Sequence, residues 1–283
     1  MDRRQLLKRI TLLAASGVVV AGMPWGAHAA IKPAVETEMS EEEYARYLEK
    51  IHNFNRAHSD DLYLSQADFN LLITSVDRFK RLQNLVGHAN FYLLSFDDAL
   101  RLSRSYTSVG SFSKYEIEFL EKIFYSSAST YGFFGEKPLK NLTDRIQRRR
   151  VTKVPHTGNF LYKGKPEETY KAIQDAVGEK VILTSGVRSV IKQFLLFLDK
   201  ALRANGNLSL ASRSLAPPGY SFHGVGDFDV GQVGYGERNF TEDFVQTPVF
   251  KRLNELGYIR LRYPRDNNLG VRFEPWHVKV PGV

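Results

Sequence analysis

Gly219-Tyr-Ser-Phe-His-Gly-Val-Gly-Asp-Phe-Asp-Val-Gly231 sets one imidazole, His223, ahead of two carboxylates, Asp227 and Asp229, with only glycines and apolar residues between them. Glycine lets the backbone turn, so such a run can offer a nitrogen and an oxygen to one point in space. The simplest occupant of that point is a divalent metal. A polar strand ending in a surface turn is the bland alternative. One His and one Asp are too few for a zinc site, and the chain has no cysteine, so a third ligand must be another His or carboxylate. The nearest cluster of the right kind is Glu274-Pro-Trp-His277.

Glu274 and His277 are three apart, and Pro275 argues against a helix between them. This is therefore not the helical His-Glu-x-x-His arrangement. On an extended or kinked segment, His277 supplies the third ligand and Glu274 stands over the metal. There it can take a proton from a bound water and pass it to a leaving amine. A His₂Asp set suits zinc and leaves a fourth position open. Upstream, Lys180–Thr184 reads as a short strand. Ser185-Gly-Val-Arg-Ser189 turns the chain into a long helix with Phe194, Leu195, Phe197, Leu198 and Leu202 on its buried face. Arg188 at that turn is either a surface salt bridge or a fixed cation at a cleft mouth, and the strand-turn-helix placement favours the cation. Gln193 lies one turn further on.

Around these blocks, Pro166–Val177 reads as a helix with proline in its first turn. Gly231–Asn239 reads as a glycine-rich loop and Thr241–Leu256 as a helix. Tyr258–Tyr263, Val271–Phe273 and Val278–Val280 read as strands. The first half differs. Ser40-Glu-Glu-Glu43 and Ser113 with Glu116 are capping boxes, and helices are predicted from Ser40, Ser65, Ser95 and Ser113. Apolar residues recur at helical spacing, as in Phe69, Leu72, Ile73, Val76, Phe79, Leu82 and Val86. His52, His58 and His88 are scattered and form no ligand pair. Gly132–Gly164 reads as a long irregular connection.

The amino terminus has a basic head with Arg3-Arg4, an apolar run from Ile10 to Met23 and Ala27-His28-Ala29 as a small-x-small cleavage site. This predicts a signal over 1–29 that resembles the twin-arginine type, with a linker over 30–39 and a periplasmic or otherwise exported location. Once the signal is removed, no stable membrane span is expected. The formal charge is +8, of which Met1–Ala29 carries +3. The remainder is too weak and dispersed to argue for nucleic acid, and Arg148-Arg149-Arg150 is the only dense basic run.

Taken together, Ser185-Gly-Val-Arg188 with Gln193, Ser221-x-His223-x-x-Gly226 with Asp229, and Glu274-Pro-Trp-His277 resemble the three signature blocks of the VanY-type D-alanyl-D-alanine carboxypeptidases. These belong to a larger group of zinc peptidases that includes lysostaphin-type enzymes. The resemblance covers Val181 to Val280. It implies an α+β fold: a helical N-terminal subdomain and connection over 40–164, then a small antiparallel-sheet zinc carboxypeptidase domain over 165–283. It implies one Zn²⁺ held by His223, Asp229 and His277. Glu274 is the implied base, Arg188 the oxyanion or carboxylate contact, and Ser221 and Gln193 line the substrate cleft. The family usually places the Asp seven residues after the first His. Here Asp229 follows by six and Asp227 by four, and Asp229, with Val230 continuing a strand, is the preferred ligand. Asp227 is left to orient His223. The implied substrate is the terminal D-Ala-D-Ala bond of a peptidoglycan stem peptide. An L,D-carboxypeptidase, a crosslink-cleaving endopeptidase and a non-catalytic zinc-bearing wall-binding module are the alternatives. A purely structural zinc has no need of Glu274.

Overall fold

The computed structural model describes residues 40–258 and 261–282. The expected export signal and linker lie outside the described residues. The chain divides into two units with the boundary at 49/50, which falls within helix α1 (Glu41–His52). Ser40 opens that helix with the expected box. The Glu43 N–H donates to Ser40 Oγ and the Ser40 N–H to Glu43 Oε2.

Beyond α1, the second unit continues with four helices: α2 (Gln66–Val86), α3 (His88–Phe91), α4 (Phe96–Ser105) and α5 (Lys114–Tyr125). Ser65, Ser95 and Ser113 each accept a hydrogen bond from the N–H three residues on, satisfying donors that a helix start leaves open. Glu116 completes the box at Ser113 and is buried. Its charge is met by Arg78 of α2, which also donates to the Val109 and Gly110 carbonyls.

Within the 132–164 connection the structure places a short hairpin, β1 (Val151–Lys153) antiparallel to β2 (Phe160–Tyr162). Three-residue strands are too short to show an alternation among the surrounding glycines and prolines. After α6 (Lys165–Val177), a three-stranded antiparallel sheet runs in the order β3 (Val181–Ser185), β4 (Phe228–Gln232), β5 (His277–Val278). Helices α7 (Val190–Arg203) and α8 (Leu208–Ser212) follow β3, and α9 (Pro248–Glu255) follows β4.

Four of the predicted elements differ. Of the strand expected over Tyr258–Tyr263, residues 259–260 lie outside the described ones and the rest shows only an isolated bridge, Leu261 with Val278. The helix expected over 241–256 is a 3₁₀ segment, Glu242–Gln246, followed by α9. Pro248 forces Thr247 out of the helical region (ψ 146°), and Thr247 becomes the cap that accepts from the Phe250 N–H. Val271–Phe273 forms no strand, because the Arg272 N–H donates to the Arg213 carbonyl instead of a ladder. The last strand is His277–Val278 rather than 278–280, since the Val280 N–H is taken by Asp227 Oδ1.

Two large cores hold the unit, with a small third cluster of Leu93, Val151 and Val187. One joins Leu72, Phe79 and Leu82 of α2 and Phe124 of α5 to Phe194, Phe197 and Leu198 of α7. The other packs Tyr170 and Ile173 of α6 and Val249 and Leu253 of α9 on Phe228, Val230, Trp276 and Val278. Successive side chains on a strand face opposite sides. With Phe228, Val230, Trp276 and Val278 in this core, Asp229 and His277 must face away from it.

Candidate active site

The register makes that second face a row. Ser185 pairs with Asp229, and Asp229 pairs with His277, so the three strands set these residues side by side. His223 comes from a 3₁₀ turn, Phe222–Gly224, just before β4. Its Nδ1 donates to the Gly186 carbonyl at 2.9 Å, which leaves Nε2 aimed at Asp229 Oδ1, 3.3 Å away. His277 is oriented the other way round. Its Nε2 donates to Asp227 Oδ2 at 3.1 Å, and its Nδ1 stands 3.2 Å from Asp229 Oδ1. Asp227 therefore fixes His277, not His223. It also accepts from Arg262 Nε at 2.7 Å and from the Val280 N–H at 2.9 Å.

His223, Asp229 and His277 are all buried, with one ligand atom of each within 4.8 Å of the others. Among the described residues they are the group that could hold a metal ion. Asp229 Oδ1 is buried and makes no hydrogen bond, despite two imidazole nitrogens at 3.2–3.3 Å. Ligand atoms at ~2.0–2.1 Å from a tetrahedral ion stand roughly 3.3 Å apart. An orphaned carboxylate oxygen at that spacing from two nitrogens, each with its other ring nitrogen tied back, fits a zinc-type cradle.

The charges agree with such a centre. Burial would raise the Asp229 carboxyl, but His223 and His277 outweigh it and hold it well below the usual range. Burial, then Arg188, pulls His223 down, keeping it a neutral ligand. Burial also opposes charge on His277, yet Asp227 and Asp229 raise it to about 10, so an ion here displaces a proton from Nδ1. Glu274 Oε2 lies 3.8 Å from that nitrogen. Burial pushes the Glu274 carboxyl up to about 7, against the pull of His277 and Arg272. A buried carboxyl poised near neutrality beside a metal cradle can shuttle protons.

The turn 185–188 serves the site at every position. Ser185 Oγ accepts from the Arg188 guanidinium at 2.8 Å. The Gly186 carbonyl holds His223. The Val187 N–H ties the turn to the Phe160 carbonyl of β2, and the Arg188 N–H donates to the His223 carbonyl. Arg188 stands 3.7 Å from Asp229 Oδ2 and lines the cleft. Gln193 is buried and does not line the cleft. It accepts from Arg188 at 3.1 Å and donates to the Ala216 carbonyl, so it positions Arg188 instead. Ser221 lines the cleft. So does Tyr263, whose ring lies 5.2 Å from that of His277.

The cleft, about 280 Å³, has further walls that the motifs did not name. Tyr92 comes from the helical half, Lys192 from α7 and Arg272 from the segment before Glu274. A lysine inside the apolar run Val190–Leu195 was the available signal for Lys192. Tyr92 had none, because nothing in its neighbourhood shows which loop reaches the site. Among the described residues no helix is long and apolar enough to cross a membrane.

No curated protein matches the chain. Among solved structures, the LdcB LD-carboxypeptidase is 24% identical over 43% of this chain and 59% of its own, with a TM-score of 0.37. A zinc complex of a mutant vancomycin-resistance D,D-pentapeptidase VanY is 25% identical over 47% of this chain and 78% of its own (TM-score 0.37). VanYB in complex with D-alanine-D-alanine is 27% identical over 47% and 77% (TM-score 0.38). The chain thus spans less than two thirds of the LdcB chain. Residues 166–283 match the family model VanY: D-alanyl-D-alanine carboxypeptidase. That segment contains His223, Asp229, His277, Glu274 and Arg188, so the part of the chain that carries the site is the part similar to VanY-type carboxypeptidases.

Proposed function

We propose that this protein is an exported zinc peptidase that removes the terminal D-alanine from D-Ala-D-Ala-ending peptidoglycan stem peptides. The observation that carries the reading is Glu274. A wall-binding module needs the three ligands, but it has no use for a buried carboxyl held near neutrality 3.8 Å from one of them. Zinc held by His223, Asp229 and His277 would polarise the scissile carbonyl and lower the pKa of a water at the open position. Glu274 takes the proton from the attacking water and delivers it to the leaving amine. Arg188, fixed by Ser185 and Gln193, meets either the negative charge that develops on the scissile carbonyl oxygen or the charge that the substrate's terminal carboxylate already carries. Tyr92 and Trp276 line the cleft in which Glu274 lies. Export rests on the basic head, apolar run and Ala27-His28-Ala29 of the amino terminus.

Mass spectrometry of muropeptides incubated with zinc-loaded protein tests this. Conversion of pentapeptide stems to tetrapeptides, abolished by Glu274→Ala with the metal retained, is the expected result. Trimming of tetrapeptides alone identifies an L,D-carboxypeptidase, and conversion of dimers to monomers an endopeptidase. Unchanged muropeptides leave the wall-binding module.

A further inference from the structure

Lys192 sits where three effects oppose a cation. It lies in the first turn of α7, whose N–H groups make that end positive. It is only 8% exposed, and burial of an unpaired charge is costly. Arg188 adds like charge, and it pulls the Lys192 ammonium down to about 8 together with burial, the larger effect. The described residues give Lys192 no carboxylate. Its Nζ donates to Gln83 Oε1 at 3.2 Å and lies 4.9 Å from the Tyr92 ring and 5.9 Å from that of Phe91.

These neutral partners form a built seat. Gln83 stands on α2 and Phe91 on α3, and Tyr92 follows directly. The Ser189 N–H and Oγ fasten that loop to the start of α7 through the Tyr92 and Phe91 carbonyls, at 2.8 and 3.4 Å. An apolar side chain would pack on the same rings without desolvation. The helical half instead holds an ammonium at the wall of the cleft, beside Arg188, whose own Nε is buried with no acceptor.

We propose that Lys192 is an anion-reading residue of the cleft, pairing with a substrate carboxylate that lies away from the scissile carbonyl. The inference rests on the peptidase reading only for its choice of probes. Two sources share this chemistry: the carboxylate at the peptide terminus, and a side-chain carboxylate on the residue before the D-alanines.

Calorimetry with zinc-loaded Glu274→Gln protein, which binds without turnover, separates them. The probes are acetyl-L-Lys-D-Ala-D-Ala, its C-terminal amide, and the acid with 2,6-diaminopimelate in place of lysine. Lys192→Met should weaken binding about 10- to 100-fold wherever the carboxylate it reads is present, and not elsewhere. Loss for both acids but not the amide assigns the terminus. Loss for the diaminopimelate peptide alone assigns the side chain. Lys192→Arg should keep most of the affinity. Equal weakening of all three probes, no weakening, or no binding by the parent protein overturns the proposal. Hydrolysis is scored separately with Glu274 intact. Carboxylate-dependent binding without cleavage refutes the peptidase reading and leaves the role of Lys192 standing.

Discussion

Burial pushes Glu274 up to about 7, while His277 and then Arg272 pull it down. As a base it works only when deprotonated, so kcat/KM falls as pH drops through its pKa, and a bound cation moves that limb to lower pH. Arg272→Met removes a charge that favours the carboxylate, so the acid limb should move to higher pH. A pH–rate profile of the zinc-loaded enzyme measures it, and an unmoved limb assigns the base elsewhere. Glu274→Gln should lower kcat by ~10²–10⁴-fold while zinc content stays the same. Asp227 acts through His277. Asp227→Asn should weaken zinc binding ~10–100-fold in competition with a chelator. Spacing alone left Asp227 and Asp229 as rivals, because residues two apart on a strand share a face. Only the register with β5 separates them: it puts Asp229 opposite His277 and Asp227 behind the imidazole.

Among elements, the turn after β3 is the most constrained. A Cβ on Gly186 would lie 2.0 Å from the Phe160 carbonyl oxygen. Gly186→Ala must therefore separate the β1–β2 hairpin from the turn and shift the carbonyl that holds His223. It should cost ~1–3 kcal/mol in thermal unfolding and weaken zinc binding as well. Arg213 makes a different brace. It grips Asp61 at 2.7 and 3.0 Å and donates to the Phe54 and Arg56 carbonyls, pinning the segment after α1 to the end of α8. Burial would raise Asp61, but Arg213, Asn207 and the His58 N–H outweigh it and lower it to about 2. A carboxyl depressed in the folded state stabilises above its unfolded pKa of ~4, and the contribution disappears as pH falls towards 2. Asp61→Ala should cost ~3–5 kcal/mol at neutral pH, read by denaturant titration, and much less at pH 2. The helices were legible because each serine cap and apolar stripe is a local signal. The hairpin and β5 were not, since strands of three and two residues have no period to read.

Over the whole molecule, the long apolar face of α7 was readable as buried, but its partner was not. Phe194 and Phe197 pack in one core with Phe79 of α2 and Phe124 of α5. Residues 165–283 expressed alone would bare that face, so they should aggregate or fail to show a cooperative melt. The helical half also supplies Tyr92 to the cleft, a contribution that no motif in residues 40–131 announces.

β5 has only two residues, and one of them, His277, belongs to the group that could hold a metal ion. Its hold on the sheet is therefore weak unless His277 is clamped to His223 and Asp229 through an ion. Chelation should loosen the tail first. Amide exchange should quicken over 274–282 and protease nicking should begin there, while α2 and α5 stay protected. A cell short of zinc would then lose this protein by trimming from the carboxyl end, so that its abundance as well as its turnover would follow the metal supply.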